Sequence, residues 1–360
     1  MALLPKRASK GIPPVTSDTP HLLVIRLSAM GDVAMAVPVL DIVTQHYPEV
    51  KLTMLSKPFF KPLFADIPNL HFYEADVKGK HKGLTGLWKL ANELKALQID
   101  AVADLHNVLR SNILKLFFRL KGIPVVQIHK GRKEKKALIR KINKIFKPLT
   151  STHQRYANVF KQLGFPIALS SYQSPDKKKL PQKVTEVVGS TSEKWIGIAP
   201  FAAYKSKTYP LELMEEVIAV LHQTKACKLI LFGGGQQEVT LLQQWADKYE
   251  NVVNAAGVFS FEEELALISN VALMVAMDSG NAHLAAMYGI ETITLWGVTH
   301  PFAGFYPFQQ HKENALLSDR KKYPLIPTSV YGNTCPKDYE DVMHSIPKER
   351  LIAKIMAHLK

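Results

Sequence analysis

Short apolar runs recur along this chain, each followed within a few residues by a stretch of helical spacing, and this alternation limits the fold more than any other feature. Residues 21–27 (HLLVIRL) form an apolar run without polar alternation, the pattern of a parallel strand buried on both faces. The turn Ser28-Ala29-Met30-Gly31-Asp32 follows, and Val33, Val37, Leu40 and Val43 keep helical spacing through residue 47. Strands are predicted at 51–55, 71–73 and 101–105, and helices over 83–97 and 108–120. A second series opens with a strand at 195–200. It continues as helix 211–224, strand 228–232, the Gly233-Gly234-Gly235 turn, helix 237–249, strand 252–255 and helix 261–269. Strand 273–276, helix 281–288, strand 292–296 and a closing helix at 347–359 complete it. Such βα alternation specifies an α/β chain with mostly parallel sheets, here two consecutive doubly wound, Rossmann-like halves facing across a cleft.

The length of 360 residues suits two domains. The expected division is a lead-in over 1–20, a first domain over 21–170, a linker over 171–193, a second domain over 194–346 and a closing helix over 347–360. The lead-in carries Pro5, Pro13, Pro14 and Pro20 and no apolar run of secretory type, and no stretch approaches the ~20 apolar residues of a membrane span. A cytoplasmic protein is expected. Cys227 and Cys335, the two cysteines, are far apart and lack zinc spacing; Cys227, beside an apolar run, is expected to be a small buried filler.

The formal net charge of +15 points to an anionic partner, whether phosphorylated substrate, acidic lipid or nucleic acid. Twelve Lys/Arg lie between Lys115 and Lys147 against one acid, Glu134. Within it, 130–147 is expected to be a helix with one apolar stripe (Ala137, Leu138, Ile142, Ile145) or a mobile excursion. No nucleic-acid-binding motif or aromatic platform accompanies it, so nucleic acid is not expected.

Three turns carry candidate chemistry. Asp278-Ser279-Gly280 ends a strand and opens a helix whose first turn holds His283; free N–H groups and the helix dipole there make a phosphate cradle, or Asp and Ser merely cap the helix. Asp32 follows the first strand, where a carboxylate serves as a general base or only as a cap. Lys207 lies in the loop after the strand at 195–200, placed to neutralise a leaving diphosphate or simply solvated. The glycines 233–235 are read as a tight turn.

Together, RLSAMGDV (26–33), PFAAYKSKTYP (200–210), MDSGNAHLAAMYG (277–289) and LWGVTHP (295–301) resemble glycosyltransferase family 9, the lipopolysaccharide heptosyltransferases, over about residues 21–347. DLHNVLRS (104–111), Cys335-Pro336 and Met343 extend the likeness. The resemblance implies a two-Rossmann GT-B fold and inverting transfer from a nucleotide-diphospho-sugar, ADP-heptose in that family, without metal or other cofactor. It implies Asp32 as base and Lys207 as partner of the donor phosphate. Ala202, Asp278, Ser279, Gly280 and His283 are then donor-binding. Gly31, His106, Arg110, Lys133 and Lys136 fall to a phosphorylated glycolipid acceptor, at the inner face of the cytoplasmic membrane and with no obligate protein partner. Phe201 stands where Gly is usual, and Thr208-Tyr209 replace a basic-or-His-then-Trp pair; both are expected at the donor pocket. A related transferase with another donor sugar and a non-catalytic nucleotide-sugar or anionic-lipid binder are the alternatives, which a transfer assay separates.

Overall fold

The computed structural model describes residues 17–189 and 193–359; most of the expected lead-in, part of the linker and Lys360 fall outside them. In chain order the elements begin β1 (His21–Ile25), α1 (Met30–Ala34), α2 (Val37–His46), β2 (Lys51–Ser56), β3 (Leu70–Glu74), α3 (Gly83–Lys95), β4 (Ala101–Asp104), α4 (Leu109–Leu120) and β5 (Val125–Gln127). Next come α5 (Arg132–Leu138), α6 (Thr152–Leu163), α7 (Gln182–Val188), β6 (Trp195–Ala199), α8 (Leu211–Thr224), β7 (Lys228–Leu231), α9 (Gln236–Lys248) and β8 (Val252–Asn254). The chain ends with α10 (Phe261–Asn270), β9 (Leu273–Met277), α11 (Gly280–Met287), β10 (Glu291–Trp296), β11 (Ala315–Leu317) and α12 (Lys348–Leu359).

Two compact units result, each with its own fully parallel sheet. The first runs to Lys130 and resumes over Ser151–Gln173, with strand order β3-β2-β1-β4-β5. The second takes Gly131–Thr150 and the chain from Ser174, in the order β11-β10-β9-β6-β7-β8. Both have the doubly wound order expected of Rossmann-like halves. Central strands β1, β6 and β9 are buried almost throughout, which is why their sequences are apolar without alternation.

Local chemistry accounts for the departures from expectation. The helix predicted over 33–47 is two helices, because Pro38 in the first turn of α2 lacks an N–H and its ring would meet the carbonyl of Ala34, where α1 ends. Helix α6 had no counterpart in the sequence reading. Its start is fixed by Ser151, whose hydroxyl accepts from the Gln154 N–H at 3.1 Å, and its end by Gly164 at φ 100°. Helix α7 lies inside the stretch expected to be linker.

The basic segment differs most. Only Arg132–Leu138 is helical, and 131–150 clusters with the second unit rather than the first. It is strapped down by its own cations. Lys135 is buried with its ammonium 4.0 Å from the Phe305 ring centre, and Lys144 Nζ donates to the carbonyls of Leu138, Leu325 and Pro327 at 3.0, 2.7 and 2.7 Å. Arg320 stacks 3.6 Å over Phe146. Burial, helped by Arg320, brings the Lys144 pKa down to about 8. Ile142 and Ile145, which a helix over 130–147 would carry on its apolar stripe, lie outside the helical turns and are exposed.

Cys227 is packed in the second core, where burial pushes its thiol up to about 11, whereas Cys335 is exposed. Ellman titration of the native protein should therefore release about one thiol equivalent promptly and the second only in denaturant, because the thiolate is the reacting species.

Candidate functional site

Each sheet reverses its strand order once, between β1 and β4 in the first unit and between β6 and β9 in the second. Loops leaving the carboxyl ends of such a pair diverge to opposite faces and open a crevice, the usual ligand position of a parallel sheet. The sequence-predicted residues Asp32 and His106 follow β1 and β4; Lys207 and Asp278 follow β6 and β9.

In the first unit, Arg26 and Asp32 form an ion pair, Arg26 nearly buried and Asp32 with 28% of its side chain exposed. Arg26 Nη1 also donates to the Leu105 carbonyl at 2.8 Å, so the guanidinium bridges the loops leaving the two central strands. No side chain caps α1. Asp32 is thus engaged by a cation and open to solvent on one side, and Gly31 precedes it in the same turn. His106 is buried, its backbone N–H donating to Asp104 Oδ1 at 2.8 Å, with Leu27 N–H 3.4 Å from its Nδ1. Burial, then the charge of Arg26, drives its pKa down to about 3, so the ring is neutral and offers no cation to a phosphate. Arg110 is exposed in the first turn of α4.

In the second unit, a 3₁₀ turn, Lys205–Lys207, carries Lys207 to Asp278, with Nζ 2.8 Å from Oδ2 and both side chains almost wholly buried. Thr299 Oγ1 donates to the same oxygen at 2.9 Å. Asp278 therefore aims Lys207 rather than capping α11. Gly332 matters equally: at φ +84° its missing Cβ is filled by the Lys207 stem, 2.2 Å from where that carbon would sit. Ser206 Oγ donates to the Gly332 carbonyl at 2.7 Å and pins the turn.

Ser279 occupies the N-cap position of α11 in extended backbone, but its side chain does not cap. Its hydroxyl oxygen is buried without a hydrogen-bond partner among the described residues. Ser279 thus caps none of the first-turn N–H groups, and a buried unpartnered hydroxyl at a helix start is the kind of group that an anion's oxygen can meet. His283 is buried on that first turn. Ala202 and Phe201 pack half-buried against the second core. Tyr209, expected at a donor pocket, is fully buried with its hydroxyl donating to the Ile346 carbonyl at 2.8 Å; it is a core residue. The glycine turn behaves as read, Gly234 N–H donating to Glu238 Oε2 at 2.7 Å. Lys133 and Lys136 are exposed on α5, in the second unit and not the acceptor-side domain where they were expected.

Among the described residues no group of three or more His, Cys, Asp or Glu is placed to hold a metal, and no helix is long and apolar enough to cross a membrane.

Residues 87–333 match glycosyltransferase family 9 (heptosyltransferase). The chain belongs to glycosyltransferase family 9. Among relatives, the lipopolysaccharide core heptosyltransferase OpsX of Haemophilus influenzae is 27% identical over 298 residues, 80% of this chain and 82% of that protein. Among solved structures, a family 9 glycosyltransferase from Veillonella parvula superposes with TM-score 0.73 at 19% identity, covering 96% of this chain and 99% of that one. The Escherichia coli ADP-heptose lipopolysaccharide heptosyltransferase II gives 0.67 at 18%, covering 94% and 98%. The expected GT-B class of two Rossmann-like units therefore holds, and this family 9 member is a glycosyltransferase of the heptosyltransferase group. Sequence reasoning missed three residues that organise its crevices. Arg26 and Thr299 stood inside the quoted motifs, but nothing local marked them; Gly332 lay outside every motif.

Replacing Asp278 by Asn leaves the Lys207 ammonium unpaired in a nearly dry place and should cost about 3 kcal/mol in urea unfolding, as for breaking a buried pair. A second expectation concerns pH. With its folded pKa below the unfolded value of about 6.5, His106 takes a proton only in the unfolded chain between about pH 6.5 and 3, so stability falls as pH falls through that window. His106→Asn should flatten the stability–pH slope there by up to about 1.4 kcal/mol per unit; an unchanged slope would mean the ring is protonated in the native protein.

Proposed function

We propose that this family 9 glycosyltransferase moves heptose from ADP-heptose to a phosphorylated, lipid-linked saccharide of the lipopolysaccharide core type, with inversion and without a metal. The observation that carries the reading is the pairing of Lys207 with the uncapped start of α11 at the strand-order reversal of the second sheet. The named activities of the relatives support the donor and acceptor classes.

In this mechanism the second unit holds the donor. The diphosphate lies against the N–H groups of α11 and Ser279 Oγ, with Lys207 on an oxygen that gains charge as the bond to the sugar breaks. Preorganised cations and N–H groups of this kind act where charge develops and need no reorganisation during reaction. His283 and Ala202 line the donor side. On the first unit Asp32 accepts the proton of the acceptor hydroxyl as that oxygen attacks the anomeric carbon from the face opposite the leaving ADP. Arg26 orients the carboxylate, and Gly31 gives the acceptor room beside it. Arg110 contacts an acceptor phosphate, and His106 contributes as a neutral hydrogen-bonding ring. The acceptor's lipid sets the place of work at the inner face of the cytoplasmic membrane.

Asp32→Asn should lower kcat by about 10²–10⁴-fold, the usual contribution of a general base, while calorimetric affinity for ADP-heptose stays near wild type. A variant keeping more than about half its turnover would make Asp32 structural rather than the base the mechanism requires. Lys207→Ala and Gly280→Val should each weaken donor binding, one by lost charge and the other by blocking close approach of phosphate to backbone. Donor affinity unchanged in both removes the donor role from the second unit. EDTA should leave the rate unaltered.

A further inference from the structure

Helix α4 carries two apolar faces where its unit needs one. Leu114 and Phe118 are buried in the first core together with Leu87, Leu90 and Leu94 of α3. On the opposite side Leu109, Leu116 and Leu120, at spacings of seven and four, stand 76%, 55% and 72% exposed, with Ile113 and Phe117 half-buried at their flank. Helix α3 extends the patch through Leu84 and Trp88, 66% and 47% exposed; the Trp88 ring meets Phe117 edge-on at 5.1 Å, and Lys121 Nζ lies 4.6 Å over it. Large apolar side chains clustered in the open mark an interaction site, since scattered single ones are the norm.

From the exposed stripe and the charges around it we infer that this face of α3 and α4 is a membrane-contact surface that seats the protein on an anionic phospholipid bilayer. Charge complementarity selects that occupant. No Asp or Glu occurs between Leu105 and Lys133, while Arg110, Arg119 and Lys121 flank the stripe. A helix with an apolar face, cationic borders and a tryptophan is the combination that lies in the headgroup–acyl boundary, apolar face inward and cations on lipid phosphates. Trp88 under the Lys121 ammonium suits that depth, where an amphipathic ring and a snorkelling lysine both find partners. Helix α4 also begins at the carboxyl rim of the sheet, beside His106 and the Arg26–Asp32 pair. A substrate head emerging from the bilayer next to Leu109 thus arrives at the crevice of the first unit. The inference rests on the reading that the acceptor is lipid-borne, and it makes α4 rather than the 131–150 strap the main lipid contact.

The test is binding to vesicles of phosphatidylethanolamine and phosphatidylglycerol, read by co-sedimentation and by quenching with brominated acyl chains. Trp195, Trp245 and Trp296 are buried, so quenching reports Trp88. Wild type should partition and be quenched; Leu116→Glu with Leu120→Glu should lower partition about tenfold or more, since two apolar anchors become anions facing an anionic surface. Trp88→Phe should abolish quenching while most partition persists. An unchanged thermal midpoint shows that the double variant is folded whatever donor the protein takes. Transfer to a soluble acceptor is measured alongside, so failure of the transfer reading is seen separately from failure of lipid binding. Equal partition of wild type and double variant, or an unquenched Trp88, overturns the inference. So does a wild-type dimer that the double variant loses, which assigns the face to a second copy of the chain.

Discussion

Both candidate sites depend on the all-parallel pairing within their own sheets. Because every strand runs the same way, each strand exit falls on one rim, and the single reversal of order sends neighbouring loops to opposite faces. The first loop of each unit carries a charged residue into its crevice, and the loop from the strand across the reversal supplies what holds it. Arg26, after β1, reaches the Leu105 carbonyl after β4. Lys207, after β6, reaches Asp278 after β9. The register that aligns Ile25 with Asp104 and Ala199 with Ala276 keeps those pairs within side-chain reach.

The two ion pairs are built differently, and the difference matches their proposed tasks. In the second unit Asp278 Oδ2 accepts from both Thr299 and Lys207, and the lysine stem fills the space left by Gly332, so the ammonium has little freedom. A cation meant to meet a developing charge gains from such fixation, since no motion is needed during reaction. In the first unit the cation is the buried partner and the carboxylate the more open one. A base must release its proton to solvent after each turnover, and partial exposure permits that.

Much of the fold was legible because its signals are local. The buried strands announce themselves as unbroken apolar runs, and the Gly and Asp turns mark their exits. Short edge strands such as Val125–Gln127 and Ala315–Leu317 were not, since three residues carry no periodicity. Helix α6 was missed although Ser151 and Gly164 bracket it, because polar residues dilute its apolar stripe. Asp32, Lys207 and Asp278 lay in recognisable turns, and the structure places each at a strand-order reversal. Their orienting partners were not legible. Thr299 reaches Asp278 across 21 residues and Gly332 underlies Lys207 across a much longer span of chain, and contacts at such separation leave no local trace.

The net charge illustrates the same limit from the other side. Counted in sequence, the cations between Lys115 and Lys147 form one basic block. In three dimensions they separate by surroundings. Lys135 and Lys144 turn inward, onto an aromatic ring and onto three carbonyls, and there they hold the strap to the second unit. Lys144 loses part of its charge preference through burial, its pKa falling to about 8. Arg119 and Lys121, by contrast, border the apolar stripe of α4 in the first unit, beside Arg110 just outside the block. Arg132, Lys133, Lys136, Arg140, Lys141 and Lys147 stay exposed on the second unit, whereas the cations of α4 frame exposed leucines. An apolar face gives such an arrangement attraction that salt does not screen, while the charges choose the sign of the surface it settles on.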